Sequence, residues 1–173
     1  MPKKVSAKTA PKKGTEKSLL FQAPNGIRDV IPDEALWWER IRVAIADVAG
    51  FYNFSYIETP ILEPLRLFER GVGDETDIVR KEMYVVKTKG GEVLALRPEG
   101  TAPVVRAYIE HGLSRLGQPA KLYYVGPFFR HENPQAGRFR QFTQVGFEIV
   151  GGQNDPIYDA QVIIAFDRLL KAL

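Results

Sequence analysis

Residues 128–151 read FFRHENPQAGRFRQFTQVGFEIVG, an arginine-rich turn between two segments of alternating apolar residues. Tyr123, Val125, Phe128 and Phe129 precede the turn, and Phe139, Phe142, Val145, Phe147 and Ile149 follow it. β-Branched and aromatic residues on both sides of a turn predict two strands joined by a loop. Asn133, Pro134 and Gly137 are turn formers and supply that loop. Strand alternation places Arg130 and Glu132 on one face, and Arg138 and Arg140 on one face of the returning limb. Guanidinium groups aimed at one surface suit a polyphosphate, because arginine binds phosphate oxygens in a bidentate, charge-assisted way. The alternative is a hairpin whose charges are simply its solvated face.

The rest of the chain predicts an α+β fold: antiparallel β-sheet with flanking helices. Asp33 after Pro32 is the expected N-cap of a helix in which Trp37, Ile41, Ala44, Ile45, Val48 and Tyr52 recur at helical spacing. Phe54 to Thr59 reads as a strand closed by Pro60. A short helix is expected over Leu65 to Arg70, then a mobile charged loop with Asp74, Glu75 and Asp77. Met83–Lys87 and Val93–Leu96 form a hairpin turning at Gly90 and Gly91. Pro98 and Gly100 break its second strand, and Thr101 is the expected cap of a helix presenting Val104, Val105, Tyr108 and Ile109 to the core. Asp155 and Pro156 open a last helix with Val162, Ile163, Phe166, Leu169 and Leu170 at core spacing. No G-x-G-x-x-G or P-loop lysine pattern occurs, which argues against a doubly wound parallel sheet.

Composition narrows the function. In 173 residues there is no cysteine, so disulfides, thiolate chemistry and cysteine metal sites are excluded; with only His111 and His131, a histidine-rich zinc site is not expected. No apolar run approaches the roughly 18 residues of a membrane-spanning helix, and the chain is read as cytoplasmic. The formal charge of +3 is unevenly distributed: residues 1–17 carry six lysines against one glutamate, leaving 18 basic and 20 acidic residues beyond them. Residues 1–17 are therefore expected to be a disordered basic tail, and residues 18–173 a slightly acidic folded unit.

The string FRHENPQAGRFRQFTQ resembles motif 2 of class II aminoacyl-tRNA synthetases in the form found in histidyl-tRNA synthetase. LRPEGTAPVVRAYIEHGL, from Leu96 to Leu113, is similar to the family's amino-acid-binding segment, and the opening helix with the strand ending at Pro60 sits where the family has motif 1. The resemblance runs from about Phe21 to the last residue.

It implies ATP-dependent activation of histidine to histidyl adenylate and transfer to tRNA(His), with Mg²⁺ accompanying ATP but no protein metal site. Arg130 would hold the ATP α-phosphate and the substrate carboxylate, and is the implied catalytic residue. Glu132 and Arg138 would fix the adenine side and the far phosphates, while Phe142 would stack on adenine. Glu99, Thr101 and Gln144 would bind the α-amino group, and Glu148 would read the imidazole. Hydrogen bonds to both imidazole nitrogens discriminate by about 10⁴ or more, because an analogue leaves polar groups unpaired. Gln135 and Arg138 would face the tRNA acceptor end, where Asn133 replaces an arginine of many bacterial members. Motif 1 would build a homodimer in the full-length protein.

The chain stops at Leu173 before any counterpart of motif 3 or the anticodon-binding domain, so the resemblance implies an incomplete enzyme, weak or inactive alone. Two other functions compete. The synthetase-like regulatory subunit of ATP phosphoribosyltransferase shares the fold, but its relatives generally lose parts of this ligand constellation. A noncatalytic dimerisation module would need only motif 1.

Overall fold

The computed structural model describes residues 21–72, 82–132 and 137–173. The basic tail, the charged loop with Asp74, Glu75 and Asp77, and Asn133 to Ala136 lie outside the described residues. In chain order the elements are α1 (Pro32–Phe51), β1 (Ser55–Tyr56), β2 (Leu62–Pro64), α2 (Leu65–Val72), β3 (Val85–Lys87), β4 (Val93–Leu96), α3 (Thr101–Glu110), β5 (Ala120–Phe129), β6 (Gln141–Val150) and α4 (Pro156–Ala172).

Two three-stranded sheets result, ordered β1-β5-β6 and β2-β4-β3. The central hairpin pairs β5 with β6 antiparallel over ten residues, from Ala120 opposite Val150 to Phe129 opposite Gln141. The small hairpin turns at Gly91, whose φ of 88° favours glycine. The fold is α+β as expected, with one departure from an all-antiparallel sheet: β1 runs parallel to β5.

That strand is also shorter than Phe54–Thr59. The Ile57 amide still donates to the Tyr123 carbonyl at 2.9 Å, but by Thr59 the ladder has ended and the Thr59 carbonyl accepts from Arg97 instead. A side chain takes over where the backbone partner runs out.

Register explains how one hairpin supports both a core and a site. Successive side chains point to opposite faces of a strand. Tyr123, Val125, Val145, Phe147 and Ile149 pack toward α1 and α4, joining Ile45, Val48, Ala49, Phe54, Ala165 and Leu169. Phe147 meets Phe54 and Phe166 edge-on at 5.0 and 5.1 Å, geometries that add to roughly 1.5–3 kcal/mol per large side chain buried. The opposite face carries Leu122, Tyr124 and Phe128, which form a second cluster with Val104 of α3.

Helix details depart from the sequence reading in instructive ways. Ile31, not Asp33, is the N-cap of α1; Pro32 occupies the first turn, where its missing N–H costs nothing. Gly100, not Thr101, is the N-cap of α3, and the carboxylate of Glu99 just before it accepts from the Thr101 and Ala102 amides at 2.6 and 3.0 Å. Asp155 caps α4 as expected, accepting from the Ile157 amide at 2.9 Å. Of the apolar residues assigned to the core, Trp37, Val105, Ile109, Ile163 and Leu170 are exposed. Each helix buries a narrower stripe than its apolar content suggests. Small residues, Ala49, Ala107 and Ala165, are buried on these stripes.

Candidate functional site

The turn Arg97–Glu99, the N-terminus of α3 and the even-numbered face of the β5–β6 hairpin converge. Backbone and side chain stitch them together. The Phe129 amide donates to the Arg97 carbonyl at 3.0 Å, Arg97 Nε donates to the Pro127 carbonyl at 3.0 Å, and Arg130 Nε donates to the Pro98 carbonyl at 3.0 Å. Arg97 is itself buried, its guanidinium 4.5 Å from the Phe128 ring centroid and donating to the Thr59 carbonyl at 2.7 Å. Burial lowers its pKa from the ordinary arginine value. A β-carbon on Gly126 would lie 2.8 Å from its Nη2, so the strand gives up a side chain to admit this arginine.

Phe142, Gln144, Gly146 and Glu148 share the β6 face that looks toward α3, opposite Phe128, Gly126, Tyr124 and Leu122 of β5. Thr101 Oγ1 donates to Glu148 Oε1 at 2.8 Å, and Gln144 Nε2 donates to the Tyr124 hydroxyl at 3.1 Å. Burial raises the Glu148 pKa and the nearby Glu99 carboxylate adds to this, while the Thr101 and Tyr124 hydroxyls pull it back. The Tyr124 phenol is pushed well above its usual value by burial first and then by Glu148 and Glu99. The result is an acidic floor that holds a carboxylate against its own desolvation, a condition that a bound cation would relieve.

At the rim, the Arg130 guanidinium lies 5.3 Å from the Phe142 ring centroid. Arg138 reaches Glu132 at 3.3 Å, and Arg140 Nε donates to the Glu132 carbonyl at 3.1 Å. The returning limb is propped from outside by the segment at Gly26, whose carbonyl accepts from the Arg140 amide at 2.7 Å. Arg28 sits 5.8 Å from the Phe139 ring. Phe139 is exposed in the turn, and β6 begins only at Gln141. Gly137 turns the chain with φ of 80°, a conformation that side chains disfavour.

From Glu99 and Thr101 a groove of about 1010 Å³ runs between α2 and α3, past Leu67, Val105 and Ile109 and flanked by Arg66 and Arg70.

The structure thus brings together Glu99, Thr101, Gln144 and Glu148 on the floor, and Arg130, Glu132, Arg138 and Phe142 at the rim. Gln135 lies outside the described residues. Sequence reasoning missed Tyr124 and the supporting role of Arg97. The only signal for Tyr124 was a pair of glycines, Gly100 and Gly146, distant in sequence and meeting only in the fold.

Among the described residues no group of three or more His, Cys, Asp or Glu is placed to hold a metal ion. No described helix is long and apolar enough to cross a membrane.

This α+β fold, with its long antiparallel hairpin and flanking helices, is that of the catalytic domain of class II aminoacyl-tRNA synthetases, which the solved structures it matches share. The family model for histidyl-tRNA synthetase matches residues 26–173. The chain belongs to the histidyl-tRNA synthetase family. It is 52% identical over 155 residues to a histidine–tRNA ligase of Desulforudis audaxviator, covering 87% of this chain and 37% of that protein. A histidine–tRNA ligase of Geobacillus thermodenitrificans is 51% identical, with 90% and 36% covered. The apo histidyl-tRNA synthetase of S. aureus superposes with a TM-score of 0.74 at 37% identity, over 88% of this chain and 35% of that one. A Bacillus halodurans protein described as an ATP phosphoribosyltransferase regulatory subunit/histidyl-tRNA synthetase gives 0.73 at 26% identity, over 90% and 39%. The chain therefore spans a little over a third of the length of these relatives.

Proposed function

We propose that this chain supplies the histidine- and ATP-holding part of a histidine–tRNA ligase, which joins histidine and ATP into histidyl adenylate and then passes the histidyl group to tRNA(His). The observation that carries this reading is the convergence of Glu99, Thr101, Gln144 and Glu148 on one face beside Arg130 and Phe142.

In the first step a histidine carboxylate oxygen bonds to the α-phosphorus of ATP and pyrophosphate leaves. Arg130, held through Nε by the Pro98 carbonyl, would bridge the carboxylate and the α-phosphate as charge builds at phosphorus. Phe142, against which that guanidinium rests, would stack on adenine. Glu132 and Arg138 would hold the adenine side and the far phosphates. On the floor, Glu99, Thr101 and Gln144 would take the α-ammonium group and Glu148 the imidazole. The raised pKa of Glu148 supports this, since a half-buried carboxylate pushed toward its neutral form is one that a bound cation would stabilise as charged.

Mg²⁺ would travel with the phosphates of ATP. The described residues form no metal cage of their own. Gln135 and Arg138 are proposed to face the tRNA acceptor end. In the longer protein, a homodimer is proposed through the motif 1 region, where Leu36, Trp37 and Tyr56 are exposed. The cytoplasm is the proposed compartment.

The test is calorimetric titration of this chain with histidine and with ATP, alongside histidine-dependent pyrophosphate exchange. Weak binding of both, with exchange far below that of a complete synthetase, is expected. Exchange at the full rate would overturn the expectation of an incomplete site, and loss of neither ligand's binding in Glu99→Ala or Arg130→Ala would overturn the site. The Bacillus halodurans neighbour gives a specific reason to keep one rival. Association with an ATP phosphoribosyltransferase catalytic subunit, without adenylate formation, would favour the regulatory reading.

A further inference from the structure

Tyr124 has no role in the site as described, yet the fold makes unusual room for it. A β-carbon on Gly100 would lie 2.2 Å from its Cζ, and a β-carbon on Gly146 would lie at the same distance. The ring is therefore wedged between the N-terminus of α3 and the facing strand, with both walls stripped of side chains. It is 7% exposed and packs on Phe128 at 5.6 Å. This places a single hydroxyl at the centre of the acidic floor with no freedom to leave it.

The hydroxyl accepts a hydrogen bond from Gln144 Nε2 at 3.1 Å. A phenol that accepts still has its own proton to donate. Its neighbours of opposite appetite are the carboxylates of Glu148 and Glu99, the groups whose charge pushes the phenol pKa up, with Arg97 acting in the other direction. Glu148 already takes the Thr101 hydroxyl on Oε1. The Gln144 amide thus donates to Tyr124, and the nearby Glu148 carboxylate is the acceptor toward which the phenol proton is drawn.

We propose that Tyr124 is a positioning residue that sets the donor and acceptor pattern of the histidine pocket. By receiving the Gln144 NH₂ group it turns the amide carbonyl oxygen toward the ligand, as an ammonium requires. By donating to Glu148 it keeps that half-buried carboxylate charged and oriented. An Asn or Gln side chain has two nearly isosteric orientations, and only its partners choose between them. Without the hydroxyl, Gln144 can present either end and Glu148 loses one of its two hydroxyl donors. The proposal rests on the histidine-binding reading above, and it specifies how that pocket favours a cationic amine over a neutral analogue.

The experiment is Tyr124→Phe, which keeps the ring in its notch and removes only the oxygen. Carbon-13 NMR of the Glu148 carboxyl, followed against pH in the ligand-free chain, should show its midpoint moving upward relative to wild type. The sign follows from losing a donor that favours the charged form. In parallel, calorimetry should show histidine binding weakened roughly tenfold, its acid limb moved to higher pH, and ATP binding changed less than about twofold. An unmoved Glu148 midpoint, or histidine affinity equal to wild type, overturns the proposal. If the wild-type chain binds no histidine, the functional reading fails, while the Glu148 titration still decides whether Tyr124 governs that carboxylate. Far-ultraviolet circular dichroism of the variant, matching wild type, separates these outcomes from misfolding.

Discussion

On the floor of the cleft, Thr101 holds Glu148 at 2.8 Å, Gln144 holds Tyr124 at 3.1 Å, and Glu99 is fixed by two amides of α3. On the rim, Arg138 meets Glu132 at 3.3 Å with its side chain 65% exposed. The rim grows from one hairpin and the floor from that hairpin together with the start of α3; the floor is internally bonded, and the rim is anchored chiefly at its base by Arg130 and Arg140. A small rigid ligand such as an amino acid needs a prearranged shape, and the floor has one before any ligand arrives. A flexible polyphosphate tolerates a looser frame, because charge-assisted bonds form as the arginines close on it.

The contrast makes the floor dependent on where α3 sits, and the sharpest way to break it is remote from the ligand. Arg106 of α3 bonds Glu63 of β2 at 2.6 Å and also pairs with Glu110. Glu63 is only 3% exposed. Arg106→Ala leaves a buried carboxylate without its partner, a loss of about 3–5 kcal/mol in urea denaturation. Replacing Glu63 by Leu in the same chain should recover most of that, since the uncompensated charge is then gone. If the single variant loses less than about 1 kcal/mol, α3 is held by apolar packing alone.

The notch around Tyr124 gives the next largest effect. Gly146→Ala puts a β-carbon 2.2 Å from Cζ of a ring already blocked on its other side at Gly100. Overpacking of this kind costs about 1–3 kcal/mol, measurable as a fall in denaturation midpoint at constant slope. Histidine affinity should fall with it, because the displaced ring drags Gln144 along. Unchanged stability would mean that the ring has room to move, and the floor would be less rigid than its hydrogen bonds suggest.

How much of this was legible beforehand divides along the same line. The rim is local: Arg130, Glu132, Arg138 and Phe142 lie within one hairpin, and turn chemistry grouped the charged residues. But β5 ends at Phe129 and β6 begins at Gln141, so Arg130, Glu132, Arg138 and Arg140 sit in the connection and not on the strand faces that alternation assigned them; Phe142 was marked out only by the resemblance. The second strand of the β3–β4 hairpin, the end of its first strand at Lys87 and the Asp155 cap are legible in the same way, whereas β3 begins at Val85 and not at Met83. The floor is non-local. Glu99 and Glu148 come from segments that only the β5–β6 register and the seat of α3 bring together, so the resemblance to motif 2 and the Leu96–Leu113 block named them where pattern could not. Tyr124 escaped both routes, since one tyrosine in an apolar strand looks like any core aromatic until the two glycines facing it are seen. The parallel pairing of β1 was hidden too, because two residues carry too little pattern to state a partner. Trp37, Ile163 and their exposed neighbours show the converse limit: helical spacing finds the apolar stripe but not how much of it the domain covers.

The smallest expected change in stability comes from the rim. Arg138→Ala removes an ion pair whose arginine is 65% exposed, and exposed pairs contribute about 0.2–1 kcal/mol, so the denaturation midpoint should barely move. Its effect on ligands should be far larger than on folding. In the proposed site Arg138 is held near Glu132 only loosely, and its charge is free to turn toward the far phosphates of ATP, where a charge-assisted bond is stronger than the exposed pair it leaves. ATP affinity should therefore fall about tenfold, by analogy with the loss of one such bond at roughly 1.5–3 kcal/mol, while histidine affinity stays within about twofold because Arg138 is paired with Glu132 at the rim. Raising the salt concentration should shrink the difference between wild type and variant, since an exposed charge is screened over about 10 Å at 0.1 M ionic strength. Calorimetry at two salt concentrations checks both statements. Equal losses for histidine and ATP would mean that floor and rim move as one body, and the division drawn from their hydrogen bonds would fail.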